Sequence, residues 1–387
     1  MVIYKVKNGF NVYTDLNAKI KLTSKNVKNF FEKTIYSKNP RNNFFDGYVG
    51  FLNYELLCQL INVKIPKQQS NGFHQSIFYK PETLIKIRKN IQILSTIKNY
   101  KENNKLTPSR KNFFHEKKFK VNLTLAQYTK LFRNFSQKIR EGKTYQIKIC
   151  QKYRNHSNID AVKFFWKLMK ANSSPESFMI RDNNYSIISC SPETLINKKN
   201  NIIITKPIAG TMKKNKKTTV EMAKKFFKGN EKESKEHNMI VDMERNDLSR
   251  ICNVGSVRIK KIKYVEEYKD LYHYVTEIAG ALKKNTTPFD IIKAMMPGGS
   301  VIGCPKISTL NLLNHQETDN RSVYTGSFGY IKSNGDMRFN IMIRSILNCN
   351  NICEIAVASG VILGSIPKKE YEENYIKAKS LLDIFKS

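Results

Sequence analysis

The residues best suited to chemistry are acids, and they gather where the charge of the chain would not place them. The formal net charge is +35, yet Glu231, Glu233, Glu236, Asp242, Glu244 and Asp247 all fall in EKESKEHNMIVDMERNDLSR, residues 231–250. Glu233 and Glu236 are spaced i,i+3, so on a helix they share a face about one turn apart. Like charges that close repel by about 0.2–0.5 kcal/mol unless something cationic sits between them. A second acidic helix, EYEENYIKAK, repeats the spacing with Glu370 and Glu373. Two acidic helix faces in a basic chain point to a shared cation, and oxygen-only ligands suit Mg2+. Two solvated helix faces are the ordinary alternative for any such Glu pair.

The positive charge itself is mostly Lys, spread along the whole chain among many Asn and Ile. That pattern reads as a compositional bias at exposed positions. No arginine-rich arm, zinc-finger spacing or RRM-like aromatic motif accompanies it, so nucleic acid is not an expected partner. An anionic small molecule would be helped by the same field. With 40% hydrophobic residues, including 22 Phe and 19 Tyr, the chain can build a sizeable core and reads as globular, not disordered. No run reaches about 18 apolar residues, so no membrane span is expected. The start, MVIYKVKNGFNVY, lacks the apolar core and cleavage site of a signal peptide. Seven Cys without CxxC or His-paired spacing fit reduced thiols in a cytoplasm.

Elements that could position the acids follow from periodicity. GYVGFLNYELL (47–57) reads as a strand passing into a helix, and LIKIRKNIQILSTI (84–97) as alternating strands. The polar stretch 98–112 is the linker expected between an N-terminal part, 1–112, and a main region, 113–387, the two forming one intertwined unit. LAQYTKLFRNFSQKIR has helical periodicity with Gly142 as its stop, and YQIKICQKY alternates as a strand. SFMIRD, YSIISCSP and NIIITKPIAGT read as strands. LYHYVTEIAGAL, after the acidic helix, reads as another helix. PGGSVIGCPKIS opens a helix at 306–314, and a strand-rich meander with an NGD turn leads to the C-terminal acidic helix. Long strands interleaved with few helices, without regular βαβ alternation, predict an α+β (mixed α/β) fold: an antiparallel-rich, two-sheet sandwich flanked by helices.

Six segments then occur in order: KPIAGT, EHNMIVDMERNDLSRIC, PGGSVIGCPK, SVYTGSFGY, FNIMIRS and EYEENYIKAK. Together they resemble the chorismate-utilising enzymes, which include anthranilate synthase component I, aminodeoxychorismate synthase component I and the isochorismate and salicylate synthases. The resemblance is dense from about Gly142 onward, and FDGYVGFLNYE continues it into the N-terminal third. It implies a Mg2+ that anchors and polarises chorismate, held by Glu236 and Glu373 with Glu233 and Glu370 close by. It also implies that Arg344 binds the enolpyruvyl carboxylate, for which a guanidinium fork suits a planar anion. Tyr324 and Lys377 are implied as further carboxylate contacts. Gly299–Ser300 and Ser359–Gly360 would offer backbone N–H groups, and Ala209, Gly210 and Thr211 of KPIAGT would line the substrate.

His273 alone reads as a packed histidine. By resemblance it is a general acid or base near the departing groups, in a catalytic set with Glu233 and Glu236. Asp242, Glu244 and Asp247 are expected to make structural contacts with Arg245 and the following turn, and Lys306 to cap or pair.

Two aminating branches compete. Ala209 and His237 resemble anthranilate synthase, whereas aminodeoxychorismate synthases commonly carry a Lys at the place of Ala209. PGGSVIGCPK, TYQIKICQKY and FNIMIRS resemble aminodeoxychorismate synthase, and no LLES-like segment of a tryptophan feedback pocket occurs. The balance favours aminodeoxychorismate synthase component I. Anthranilate synthase component I is the alternative, and a non-catalytic chorismate-binding protein the distant one. No GxCxG-type nucleophile loop is present, so ammonia is expected from a separate glutamine amidotransferase subunit in a heterodimer.

Overall fold

The architecture is that of a computed structural model. It describes residues 1–36, 44–66, 73, 76–98, 100, 112–215, 217–268 and 271–386, without the side chains of 209, 211, 213 and 232. All but three residues of the expected linker, 98–112, lie outside the described set.

Local chemistry sets the elements that frame the site. Strand Gly47–Leu52 is buried on both faces and runs into helix Tyr54–Leu60, whose N-cap Asn53 accepts the Leu56 N–H. Thr124 and Gln127 form a capping box on helix Leu125–Arg140. Gly142 follows at φ +69°, a left-handed stop that glycine adopts without strain. Strand Gln146–Asn158 comes next, and the long acidic helix Glu231–Ile251 starts on the Asn230 cap. Helix Lys306–Gln316 follows the glycine-rich turn, and helix Pro367–Asp383, with Pro at its first turn, closes the fold. Gly335, at φ +81°, makes the NGD turn between Ser327–Lys332 and Met337–Asn340.

Strand pairing among the described residues is antiparallel throughout and links the main strands into one continuous curled sheet. Expectation placed them in two sheets of a sandwich; the sheet bends instead of breaking. N-terminal strands are woven into it: Val2–Val6 pairs with Glu176–Arg181, and Gly47–Leu52 with Ser327–Lys332. Gln146–Asn158 pairs along ten residues with Ile352–Val361, placing Gly360 opposite Lys148 and Ser359 opposite Ile149.

Segment Leu271–Ala281 corrects the helix expected there. It is a strand, laddered to Ile202–Lys206, Ile208–Lys213 and Arg258–Glu267. Burial on both faces removes the alternation that would have marked it, and a continuous apolar run does not distinguish strand from helix by periodicity. Its Tyr, Val, Thr and Ile content suits the pleated, buried setting.

The largest core cluster lies where helices Glu231–Ile251, Pro288–Met295 and Lys306–Gln316 cover the sheet, and includes Ile147, Ile149, Val241, Leu248, Ile291 and Leu310. A second packs Phe164, Phe165, Leu168, Leu381 and Phe385 against Ile188 and Ile355. Each such side chain, fully buried, contributes about 1.5–3 kcal/mol. Among the described residues no helix is long and apolar enough to cross a membrane.

Candidate active site

Glu236 is the best-anchored acid of the 231–250 cluster. Its Oε1 accepts a 2.9 Å hydrogen bond from Gln146 Nε2 and an ion pair from Lys148 Nζ. Strand alternation puts Gln146 and Lys148 on one face of the sheet, toward the acidic helix. Burial would raise the Glu236 pKa, but Lys148, then Lys377 and Gln146, outweigh it and hold the carboxyl down to about 2. Lys148 is fixed from behind. Its carbonyl accepts 2.7 Å from Arg321 Nη2, and Arg321 is itself locked to Glu317 by two hydrogen bonds of 2.7 and 2.8 Å.

The C-terminal acidic helix approaches the same place. Lys377 Nζ lies 2.7 Å from Glu373 Oε1 and donates 3.0 Å to the Ala358 carbonyl. Ala358 packs against the small buried cluster of Cys150, Tyr324 and Ala356. Glu370 is buried one turn before Glu373. Ser359 Oγ is 2.8 Å from Tyr128 Oη and so faces helix Leu125–Arg140. A Cβ on Gly360 would lie 2.7 Å from Gln146 Nε2 and 2.8 Å from Lys148 Nζ; the missing side chain makes room for both. Gly210, at φ +85°, is equally tight: a Cβ there would meet Glu233 Oε2 at 2.3 Å. The side chains of Ala209 and Thr211 lie outside the described set.

A second group surrounds Arg344. Its Nη1 is buried with no hydrogen-bond partner, and no carboxylate among the described residues pairs with it. Burial lowers its pKa, with Cys190 and Glu193 opposing. His273 is buried near it; burial, then the Arg344 charge, bring the imidazole down to about 3 against a hydrogen bond it donates to the Gly210 backbone, so it is neutral at neutral pH. Glu193 is buried too, and burial pushes it up to about 7 against the pull of Ser300, Lys148 and Arg344. Ser300 lies beside it, although its Oγ makes no hydrogen bond of normal geometry.

Other acids of the cluster point elsewhere. Asp242 pairs with Arg245 at 3.1 Å on the surface. Glu244 is buried and accepts from Thr205; Asp247 is buried against Lys306 at 2.5 Å. Lys306 therefore ties its helix to the acidic helix. An open, basic cleft of about 550 Å³ lined by Arg250, Lys283, Lys293 and Lys306 is a separate feature.

The sequence reading missed Gln146, Lys148 and Glu193. Alternation in QIKI could have flagged the first two, and Glu193 follows the punctuating Ser-Pro of SCSPETLI.

Among the described residues no three His, Cys, Asp or Glu side chains converge into a ready metal cage. Mg2+ needs none: one or two carboxylates with substrate oxygens and waters suffice. Glu236 and Glu373 are oxygen donors on two helices near enough for Lys377 to act on both, so the residues fit such an ion.

The model of the chorismate binding enzyme family matches residues 4–383. Anthranilate synthase component 1 of Acetivibrio thermocellus is 30% identical over 332 residues, covering 86% of this chain and 66% of that protein. Aminodeoxychorismate synthase component 1 of Bacillus subtilis is 33% identical over 262 residues, covering 67% and 56%. This chain thus spans about two thirds or less of both relatives. In fold, anthranilate synthase component I of Streptococcus pneumoniae superposes with a TM-score of 0.81 at 24% identity, over 96% of this chain and 91% of that one. With the six ordered motifs and a match over nearly its whole length, the chain belongs to the chorismate binding enzyme family.

Proposed function

We propose that this protein aminates chorismate in a Mg2+-dependent reaction and releases 4-amino-4-deoxychorismate, as an aminodeoxychorismate synthase component I. The observation that carries the reading is Arg344, half-buried, whose Nη1 is shut off from water without a hydrogen-bond partner and which pairs with no carboxylate among the described residues. Such a group is costly unless an anion completes it, and a planar carboxylate fits its fork. Mg2+ held by Glu236 and Glu373 would polarise the bound substrate for loss of its ring hydroxyl. Glu193, with a pKa near 7, can carry the proton that the departing hydroxyl requires. Neutral His273 beside Arg344 can accept or donate a proton without repelling a carboxylate. Ammonia would come from a separate glutamine amidotransferase subunit, in keeping with the "component 1" names of the relatives. The proposed setting is the cytoplasm.

Anthranilate formation with loss of pyruvate is the second reading. Ala209 favours it, as does His237, buried next to Glu236 and 2.6 Å from Thr276 Oγ1. The test is a product assay with purified protein, chorismate, Mg2+ and ammonium, resolved by chromatography. The first reading expects 4-amino-4-deoxychorismate. Fluorescent anthranilate with pyruvate would replace it with the second, and unchanged chorismate would overturn both.

A further inference from the structure

We propose that Lys148 is a tethered cation of the acidic site: its ammonium holds Glu236 in the metal-free protein and must leave that carboxylate for a divalent ion to bind. The inference rests on the reading of Glu236 as a Mg2+ ligand, and goes beyond it by assigning Lys148 control of metal affinity.

Three observations carry it. The pair is close and sheltered, with Lys148 Nζ 2.5 Å from Glu236 Oε1 and side chains only 10% and 21% exposed. Such a pair is screened far less than one in water. By contrast Lys377–Glu373, at i,i+4 on one helix, is 39% and 42% exposed and is a weak lock. The lysine is also built in. Its N–H donates 3.0 Å to the Ile302 carbonyl, its carbonyl accepts from Arg321, and Gly360 leaves the space its ammonium fills. Finally, the same Oε1 already accepts from Gln146, so both donors converge on one oxygen of the proposed ligand.

An ammonium and a dication held at one carboxylate repel each other. Lys148 therefore keeps Glu236 ionised and in place, yet opposes the metal until it swings away. Mg2+ affinity in the absence of substrate should be low for this reason.

The test is calorimetric titration of MgCl2 alone into the purified full chain, its Lys148→Met and Lys148→Arg variants, and Glu236→Gln. Removing the tethered charge should tighten Mg2+ binding by about tenfold or more in Lys148→Met, while Lys148→Arg, which keeps the charge, stays near wild type. Mg2+ should likewise raise the melting temperature of Lys148→Met more than that of wild type. Equal affinities in wild type and Lys148→Met, both abolished by Glu236→Gln, would overturn the tether and leave Glu236 as a ligand. A folded Lys148→Met that binds no Mg2+ would overturn both. Should Lys148→Met fail to fold, Mg2+ binding by Lys148→Arg about tenfold tighter than wild type would also overturn the tether.

Discussion

His237 Nε2 lies 2.6 Å from Thr276 Oγ1, and that hydroxyl also accepts the Lys263 N–H at 3.1 Å. The contact pins the acidic helix to strand Leu271–Ala281 at the residue after Glu236. Burial, then the Lys263 charge, bring His237 down to about 4, so the imidazole is neutral when it pairs. Thr276→Val would leave a buried ring nitrogen without its partner and should destabilise the protein by about 1–3 kcal/mol. Thr276→Ser keeps the hydroxyl and should stay close to wild type. Urea denaturation at neutral pH separates the two; equal midpoints for Val and wild type would contradict the assignment.

Glu193 and His273 should give stability opposite slopes with pH. The Glu193 pKa is raised from 4.5 to about 7 by burial, so between those values the native state holds more protons than the unfolded chain. Stability from this group falls as pH rises through that window. The His273 pKa is lowered from 6.5 to about 3, so there the unfolded chain holds more protons, and stability falls as pH drops below 6.5. Glu193→Gln should therefore gain stability relative to wild type on going from pH 5 to pH 8, by an amount of the order of 1 kcal/mol or more. His273→Gln should instead flatten the acid side. Denaturation midpoints across the pH series read both effects, and parallel profiles for all three proteins would refute them.

Local signals made much of this legible in the sequence. The i,i+3 spacing of Glu233 with Glu236 and of Glu370 with Glu373 needs only helical geometry, and both helices formed where the acids predicted them. Turn and stop residues such as Gly142 and Gly335 act within a few residues and were equally readable. Failures came where the outcome depends on distant partners. Leu271–Ala281 is a strand because three other strands flank it, which no window of its own sequence contains. Lys148 lies in the alternating strand YQIKICQKY, and only the curled sheet turns its face toward Glu236. Glu193 is a single acid among strand residues, and only burial reveals its raised pKa.

Arg344 separates ligand binding from stability. It is half-buried, with Nη1 shut off from water and no carboxylate partner among the described residues, so removing its charge should not weaken the fold. Arg344→Met is expected to hold or raise the melting temperature while weakening chorismate binding by about 2–5 kcal/mol, thirtyfold or more. Arg344→Lys keeps the charge but loses the planar fork, and should fall between the two. Calorimetric titration with chorismate beside thermal melts gives both readings. A destabilised Met variant that still binds chorismate would make Arg344 structural.

Two glycines at the site should fail in different ways. Gly210 has φ +85°, and a Cβ there would meet Glu233 Oε2 at 2.3 Å and the Phe227 ring at 2.8 Å. Gly210→Ala therefore carries backbone strain as well as a clash, and should cost about 1 kcal/mol or more of stability. Gly360 lies in strand Ile352–Val361, where its backbone admits any residue, and a Cβ would meet only the ends of Gln146 and Lys148, at 2.7 and 2.8 Å. Those ends can move, so Gly360→Ala should change stability by less than about 1 kcal/mol. Moving them displaces the two donors that hold Glu236 Oε1 and fills space beside the proposed substrate. The expected signature of Gly360→Ala is a near-normal melt with a raised KM for chorismate, against a lowered melt for Gly210→Ala. If Gly360→Ala left KM unchanged, Gln146 and Lys148 would not be setting the position of Glu236.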